Sequence, residues 1–309
     1  MAGPRGGGKP RRPAKGLAKG TSKGAAKGRP SPTRRSPTPG RAPAGGKRRA
    51  APGAPAGKVA RGSLGGDQVE GRQAVRELLL AGRRKVREIW LLADVDPSPI
   101  LEDIVELAEA ERVPVREVGR AKFFAEARCE APQGVLAKAA PLTESLLDDL
   151  AAARSGGPPP FLIAVDGVTD PGNLGALLRS AECAGATGVV LPRHRAVHVT
   201  PTVTKAAAGA VEHLPFAVVG GLPAALQHLQ SLGVWVVGLD GDGPTGLWQI
   251  PAADGPIALV LGAEGSGLSR LVRQRCDALV SIPLRGALGS LNVASAGALA
   301  CFEVARARS

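Results

Sequence analysis

The chain has 309 residues, 44% of them hydrophobic and 3% aromatic, with 40 Lys plus Arg set against 27 Asp plus Glu and only 4 cysteines. That length and apolar content suit one large or two modest domains. The absence of any uncharged apolar run of about 18 residues excludes a membrane span, and the N-terminus lacks the apolar core of a secretory signal.

The charge is unevenly spread. Residues 1–65 hold 17 of the Lys and Arg and none of the Asp or Glu, no aromatic residue, and a dense mixture of Gly, Pro, Ala and Lys. Such a segment cannot bury enough apolar surface to offset chain entropy, so it reads as a disordered basic tail. It is either a solubility tail or a polycation that finds RNA or ribosomes by counterion release.

From 66 to 140 the sequence predicts a small α/β domain. "RQAVRELLLA" reads as a helix from Arg72 to Ala81, and "VREIWLLA" as a strand. Ser98 and Pro99 open a second helix with an apolar i, i+3, i+4 stripe, followed by a strand at "VPVREV", a helix near "AKFFAEA" and a strand at "QGVLAKA". Arg72, Arg76, Arg83, Arg84, Lys85 and Arg87 crowd its first third, as a solvated face or a patch for a nucleic-acid backbone. Residues 141–160, a short polar helix dissolving into Gly and Pro, read as a linker.

A second domain is expected over 161–309. "FLIAVDGV", "GVVLP", "VWVVGLD", "IALVLG" and "ALVSIPL" alternate with helical stretches. This is the pattern of a mostly parallel sheet with helices on both faces, and ligands gather at the carboxyl ends of such strands. Three loops sit there. "DGVTDPGNLGALLRSAECAGA" lacks the Gly-Lys-Ser/Thr of a phosphate loop and offers only Gly172 and Gly175 against a dinucleotide fingerprint. Its Asp170, Pro171 and Asn173 suit a tight turn and a helix cap, with Arg179 two turns into the helix. "IALVLGAEGSGLSR" sets Glu264 among glycines that let a backbone approach a ligand; it could bind a sugar hydroxyl, orient an Arg or be a surface turn residue. In "SIPLRGALGSLNVASAGALACFEVARARS", Ser290 is expected to cap the last helix, with Asn292 in its first turn.

The loops bring Asn, Arg, Glu, Ser and Asn to strand ends without His, Cys or paired carboxylates. Triad or metal hydrolysis is therefore disfavoured, and binding and orienting a hydroxyl fits better. Cys129, Cys183, Cys276 and Cys301 form no Cys-x-x-Cys pair and read as buried thiols of a reducing, cytoplasmic compartment. His194 and His198, four apart and placed for one helical face, lack an acidic or Cys companion, so no metal site is expected.

In order and spacing these three loops resemble the motifs of the SpoU (TrmH-like) family of RNA ribose 2′-O-methyltransferases, of the SPOUT class, over about Phe161 to Arg306. The departures are Leu284 where Met is common and Ala294 where Ser is. The resemblance implies a trefoil knot formed by the C-terminal strands and helix, a slot for S-adenosyl-L-methionine within it, and a homodimer bordering both sites. It implies that Gly262, Ile282 and Leu291 contact the cofactor, that Asn173 and Arg179 serve the ribose hydroxyl, and that Glu264, Ser290 and Asn292 hold the site together, without a metal. The stretch with "GRQAV" and "APQGVLAKA" is similar to the family's RNA-binding domain. That arrangement is typical of members that methylate a guanosine of 23S rRNA, as free RNA or in a ribosomal precursor. A tRNA or other rRNA methyltransferase of the same family is the alternative. A non-catalytic ribosome-assembly RNA-binding protein is disfavoured by the intact Asn173, Arg179, Glu264, Ser290 and Asn292.

Overall fold

The computed structural model describes residues 64–153, 156–194 and 198–309, all within one compact unit. The basic tail lies outside the described residues, except at its end. There Leu64 is buried in the core of the large sheet and Gly65 bridges Val199, so folded chain begins at least two residues earlier than composition suggests.

The first sheet is built from β1 (Gln68–Glu70), β2 (Val86–Leu92), β3 (Val115–Val118) and β4 (Val135–Ala139), in the order β1-β4-β2-β3. The α1 helix (Arg72–Ala81) runs over the expected residues. It and α2 (Pro99–Ala110) cover one face through Val75, Leu78, Leu101 and Ile104. On the other face α3 (Arg120–Glu126) inserts Phe123 beside Trp90 and Leu136. The β1 strand escapes a hydrophobic-pattern reading because two of its three buried residues, Gln68 and Glu70, are polar. Gln68 Nε2 donates to Glu70 Oε1 at 2.7 Å, and Arg128 N and Cys129 N donate to the same carboxylate.

The expected linker is only partly one. It carries α4 (Leu147–Ala151), whose Leu150 is buried on the second sheet, and Ser145 N donates to Phe216 O at 2.7 Å.

The second sheet contains β5 (Phe161–Asp166), β6 (Gly188–Pro192), β7 (Phe216–Val219), β8 (Trp235–Leu239), β9 (Thr245–Gly246), β10 (Ile257–Gly262) and β11 (Ala278–Ser281). All its pairings are parallel, and the order is β7-β6-β5-β10-β8-β11-β9. Both faces are covered, which is why β5 and β10 read as continuous apolar runs rather than alternating ones. On one face lie α5 (Pro171–Cys183), α6 (Pro201–Ala206) and α9 (Val293–Ala307); on the other, α4, α7 (Leu222–Ser231) and α8 (Arg270–Arg273).

Two close approaches set the layer that carries the site. A methyl group on Gly175 would strike Ala206 and the backbone of α6, and one on Gly297 would strike Leu177, so α5 is held tightly between α6 and α9. At its far end α9 is anchored by Arg308, whose guanidinium donates to Pro159 O at 2.8 Å and Ala253 O at 3.0 Å and lies over the Phe161 ring.

Several expectations for single side chains change. Of the four cysteines only Cys301 is buried, its thiol pushed up to about 12 by desolvation; Cys183 is exposed. His194 and His198 lie in irregular chain, so helical spacing does not pair them. No group of three His, Cys, Asp or Glu suited to a metal occurs among the described residues, and none of their helices is long and apolar enough to cross a membrane.

The arginine cluster is not one patch. Arg76 pairs with Asp103 at 3.0 Å, and Arg72 bonds Ser98 and the Gln133 carbonyl. Arg84 leaves the surface. Its Nε and Nη2 clamp Glu212 at 2.8 and 2.6 Å, and Nη1 serves the carbonyls of Ala140 and Gly66. The side chains of this pair are 6% and 1% exposed. Removing one partner leaves a buried charge unanswered, which costs about 3–5 kcal/mol, whereas an apolar pair of similar volume is far better tolerated. Glu212→Ala is therefore expected to lose stability of that order in urea unfolding, and the Arg84→Met/Glu212→Leu double variant much less. A loss below about 1 kcal/mol in the single variant would contradict this account.

Candidate active site

Because the large sheet is parallel, β5, β8, β10 and β11 all end on one edge, the edge where a crevice forms. The chain leaves β5 at Asp166 and turns into α5, whose N-cap is Asp170: its Oδ1 accepts from Asn173 N at 2.7 Å. With Asp170 doing the capping, the Asn173 side chain is released from that duty and turns toward the end of β10.

There the loop closes on itself. Ala263 N donates to Gly267 O at 3.1 Å and Gly267 N to Ala263 O at 2.9 Å, while Gly265 and Gly267 take the left-handed φ values of 78° and 64° that this closure needs. Glu264 is carried at its rim. The third loop ends at Asn292, which is itself the N-cap of α9. Its Oδ1 accepts from Ala294 N at 2.8 Å and Ser295 N at 3.3 Å, so the capping expected of Ser290 is performed two residues later.

The three side chains form a closed triangle. Glu264 Oε1 accepts from Asn173 Nδ2 and from Asn292 Nδ2, each at 2.8 Å, and Asn292 Nδ2 also donates to Asn173 Oδ1 at 2.8 Å. Asn292 has then spent both amide hydrogens inside the triangle. What remains outward is one N–H of Asn173 and the second oxygen of Glu264, a donor and an acceptor side by side. That pair suits a hydroxyl group.

Beside the triangle lies a cavity of about 410 Å³, bordered by Gly262, Glu264, Ile282, Ser290 and Leu291. All three expected cofactor contacts line it, as do Glu264 and Ser290. Arg179 does not. It stands six residues after Asn173 on α5, about 9 Å along the axis and roughly 240° around it, with its guanidinium exposed and unpaired among the described residues.

The sequence reading missed the wall formed by Asp240, Gly241 and Asp242, where Asp240 pairs with Arg273 at 3.2 Å. The signal was present in "VVGLDGDG": a strand ending in acids and glycines at the same sheet edge. The lining fits S-adenosylmethionine. The carboxylates of Asp242 and Glu264 would face a donor that carries positive charge, the only lining cation among the described residues, Arg273, is paired with Asp240, and loop backbone with Ile282 and Leu291 offers polar and apolar contacts.

A parallel sheet with helices on both faces, and a polar triangle with an open donor and acceptor beside a cavity at its edge, suit an α/β enzyme of group transfer. Residues 160–302 match the SpoU rRNA Methylase family, and residues 68–145 match the RNA 2′-O ribose methyltransferase substrate binding family. The chain is 39% identical over 245 residues to the 23S rRNA (guanosine-2′-O-)-methyltransferase RlmB of Pseudomonas putida, covering 78% of this chain and 97% of that one. It is 42% identical over 240 residues to RlmB of Ralstonia nicotianae, covering 77% and 95%. Among solved structures it resembles the SpoU methyltransferase AviRb of Streptomyces viridochromogenes in complex with AdoMet, at 26% identity and a TM-score of 0.66 over 78% of this chain and 89% of that one. The AdoMet-bound rRNA methyltransferase of Sinorhizobium meliloti gives 27% and 0.63, over 78% and 87%. The chain belongs to the SpoU rRNA methylase family.

Gly262 tests the cavity directly. A Cβ there would collide with the backbone of Gly267 and Leu268, so the closed loop would have to open. Gly262→Ala is expected to weaken S-adenosylmethionine binding at least about tenfold by calorimetry (a loss of roughly 1.4 kcal/mol) while the circular dichroism spectrum is kept. Unchanged affinity would remove the loop from the cofactor site.

Proposed function

We propose that this chain transfers a methyl group from S-adenosylmethionine to the ribose 2′-oxygen of a guanosine in 23S rRNA. The observation that carries the proposal is the Asn173–Glu264–Asn292 triangle at the lip of a cavity whose lining suits the donor. The identity to curated guanosine-2′-O-methyltransferases across nearly their whole length supports the substrate, and the AdoMet-bound neighbours support the donor.

S-adenosylmethionine supplies a methyl group already activated on a sulfonium, so the protein's task is to place one oxygen in line with it. The free N–H of Asn173 would hold the incoming 2′-oxygen, and the free oxygen of Glu264 would accept the hydroxyl proton's hydrogen bond. Asn292 fixes both by consuming their remaining groups. Gly262, Ile282 and Leu291 would hold the cofactor, with Ser290 at the mouth.

Arg179, exposed on the same helix as Asn173 and carrying a planar fork of donors, suits an RNA phosphate. Residues 66–140 would carry the RNA, and the Arg84–Glu212 clamp would hold them against the catalytic half, 161–309. The insertion of β10 between β5 and β8, with α9 packed on α5, supports the knotted threading that the resemblance implies.

A second copy of the chain completes the proposal. Leu299 and Phe302 lie on the outer face of α9 at 39% and 51% exposure, beyond the exposed Leu288 and Leu291 of the site loop. Exposed large apolar side chains on a helix whose N-cap belongs to the site suit an interface with a second copy.

Asn173→Ala should cut methyl incorporation into unmodified 23S rRNA at least about a hundredfold with cofactor affinity unchanged, as expected for an interaction made only with the reacting group. Arg179→Ala should chiefly raise KM for RNA. Full turnover in both variants would refute the assignment. Phe302→Asp is expected to give a monomer in light scattering, and a dimer that persists would remove α9 from the interface.

A further inference from the structure

A second cavity, of about 610 Å³, opens on the same sheet edge, on the side covered by α7 and α8. Ala263, Ser266 and Gly267 line both it and the cofactor cavity. The closed loop that carries Glu264 is therefore a partition with one cavity on each side. We propose, resting on the function assigned above, that this second cavity receives the base of the methylated guanosine, and that Asp166 reads it.

The first step is geometric. In a nucleoside the base hangs from C1′, the carbon bonded to C2′, so it lies within a few ångströms of the oxygen that reacts. With the 2′-oxygen at the triangle on the lip of the partition, and the cofactor on one side, the base falls on the other. The triangle's own side chains do not line the second cavity; it meets the loop that carries Glu264 at Ala263, Ser266 and Gly267, within three residues of that carboxylate.

The second step is chemical. Asp166 closes β5 and lines this cavity. Its Oδ2 accepts from the backbone Ser269 N at 2.7 Å, and among the described residues no side chain hydrogen-bonds or ion-pairs with its carboxylate. One oxygen is thereby anchored, fixing the plane of the group, and Oδ1 keeps its lone pairs for the cavity. Guanine is the base that places two donors, N1–H and the 2-amino group, side by side on its pairing edge, and RNA bases drawn out of a helix are read on that edge. Adenine presents an acceptor at N1, which a carboxylate would repel. Leu222 and Leu271 supply apolar wall for the ring, and Arg270, exposed and without a side-chain partner among the described residues, stands at the rim where a phosphate would pass.

Asp166→Asn isolates this role. The amide oxygen can still accept from Ser269 N, so the turn is kept, but the open position becomes a donor facing donors. The experiment uses the full chain saturated with S-adenosylhomocysteine and measures binding of guanosine 5′-monophosphate and inosine 5′-monophosphate, which differ only in the 2-amino group. In parallel, kcat/KM is measured on unmodified 23S rRNA. The wild type is expected to prefer the guanosine nucleotide at least about fivefold. Asp166→Asn should erase that preference and lower kcat/KM at least about tenfold, with S-adenosylmethionine affinity within twofold of wild type. Equal binding of the two nucleotides by the wild type, binding of neither, or a preference that survives in Asp166→Asn would overturn the proposal. A wild type that shows the nucleotide preference but transfers no methyl group to 23S rRNA would sink the assigned reaction and leave the base site standing.

Discussion

One carboxylate oxygen ties three distant loops together. Glu264 Oε1 accepts from two asparagines that begin different helices, Asn173 in the first turn of α5 and Asn292 at the N-cap of α9. The chain alone does not couple them: Asn292 is 119 positions from Asn173 and 28 from Glu264. Two of the three hydrogen bonds end on a carboxylate, and together the three leave two defined groups outward, so the triangle is a template rather than a collection of polar side chains. Its position follows from packing. Gly175 and Gly297 admit α6 and α9 tightly against α5, and a side chain at Gly297 would strike Leu177 and push apart the two helices that carry the asparagines.

The same logic of fixed distances runs outward. Arg308 holds the far end of α9 to the carbonyls before β5 and β10, so the helix whose N-cap is Asn292 is pinned at both ends. Arg84 and Glu212 hold the first sheet to the second through a buried bidentate pair. A group-transfer site gains most from alignment, and a large substrate held by the first sheet would need that sheet fixed firmly relative to the reacting atoms. A buried ion pair is weak evidence for stability but a good device for a single defined arrangement.

Much of this was legible in the residues. The apolar runs of β5, β6, β8 and β10 announced a covered parallel sheet, and the rule that ligands gather at strand ends selected the three loops that the structure brings to one edge. Three strands escaped: β1, buried through the polar Gln68 and Glu70, the two-residue β9, and β7, apolar but only four residues long. The helix caps were misassigned for a related reason. Ser290 and Asn292 are both good capping residues, and only the helix's first turn shows that Asn292 bonds Ala294 N and Ser295 N. Arg84 looked like one charge among six because a solvated arginine and a buried one are spelled alike; its partner, Glu212, stands 128 residues away. The wall at Asp240 was overlooked although it obeys the strand-end rule that found the others.

The central claim is that Asn173, Glu264 and Asn292 act as one unit, and a double-mutant cycle tests it most directly. With kcat/KM for methyl transfer measured for Asn292→Ala, Glu264→Ala and the double variant, a unit predicts that the double variant is scarcely worse than the more damaged single one. Losses that multiply, so that the two changes add independently in free energy, would show three separate side chains and contradict the account.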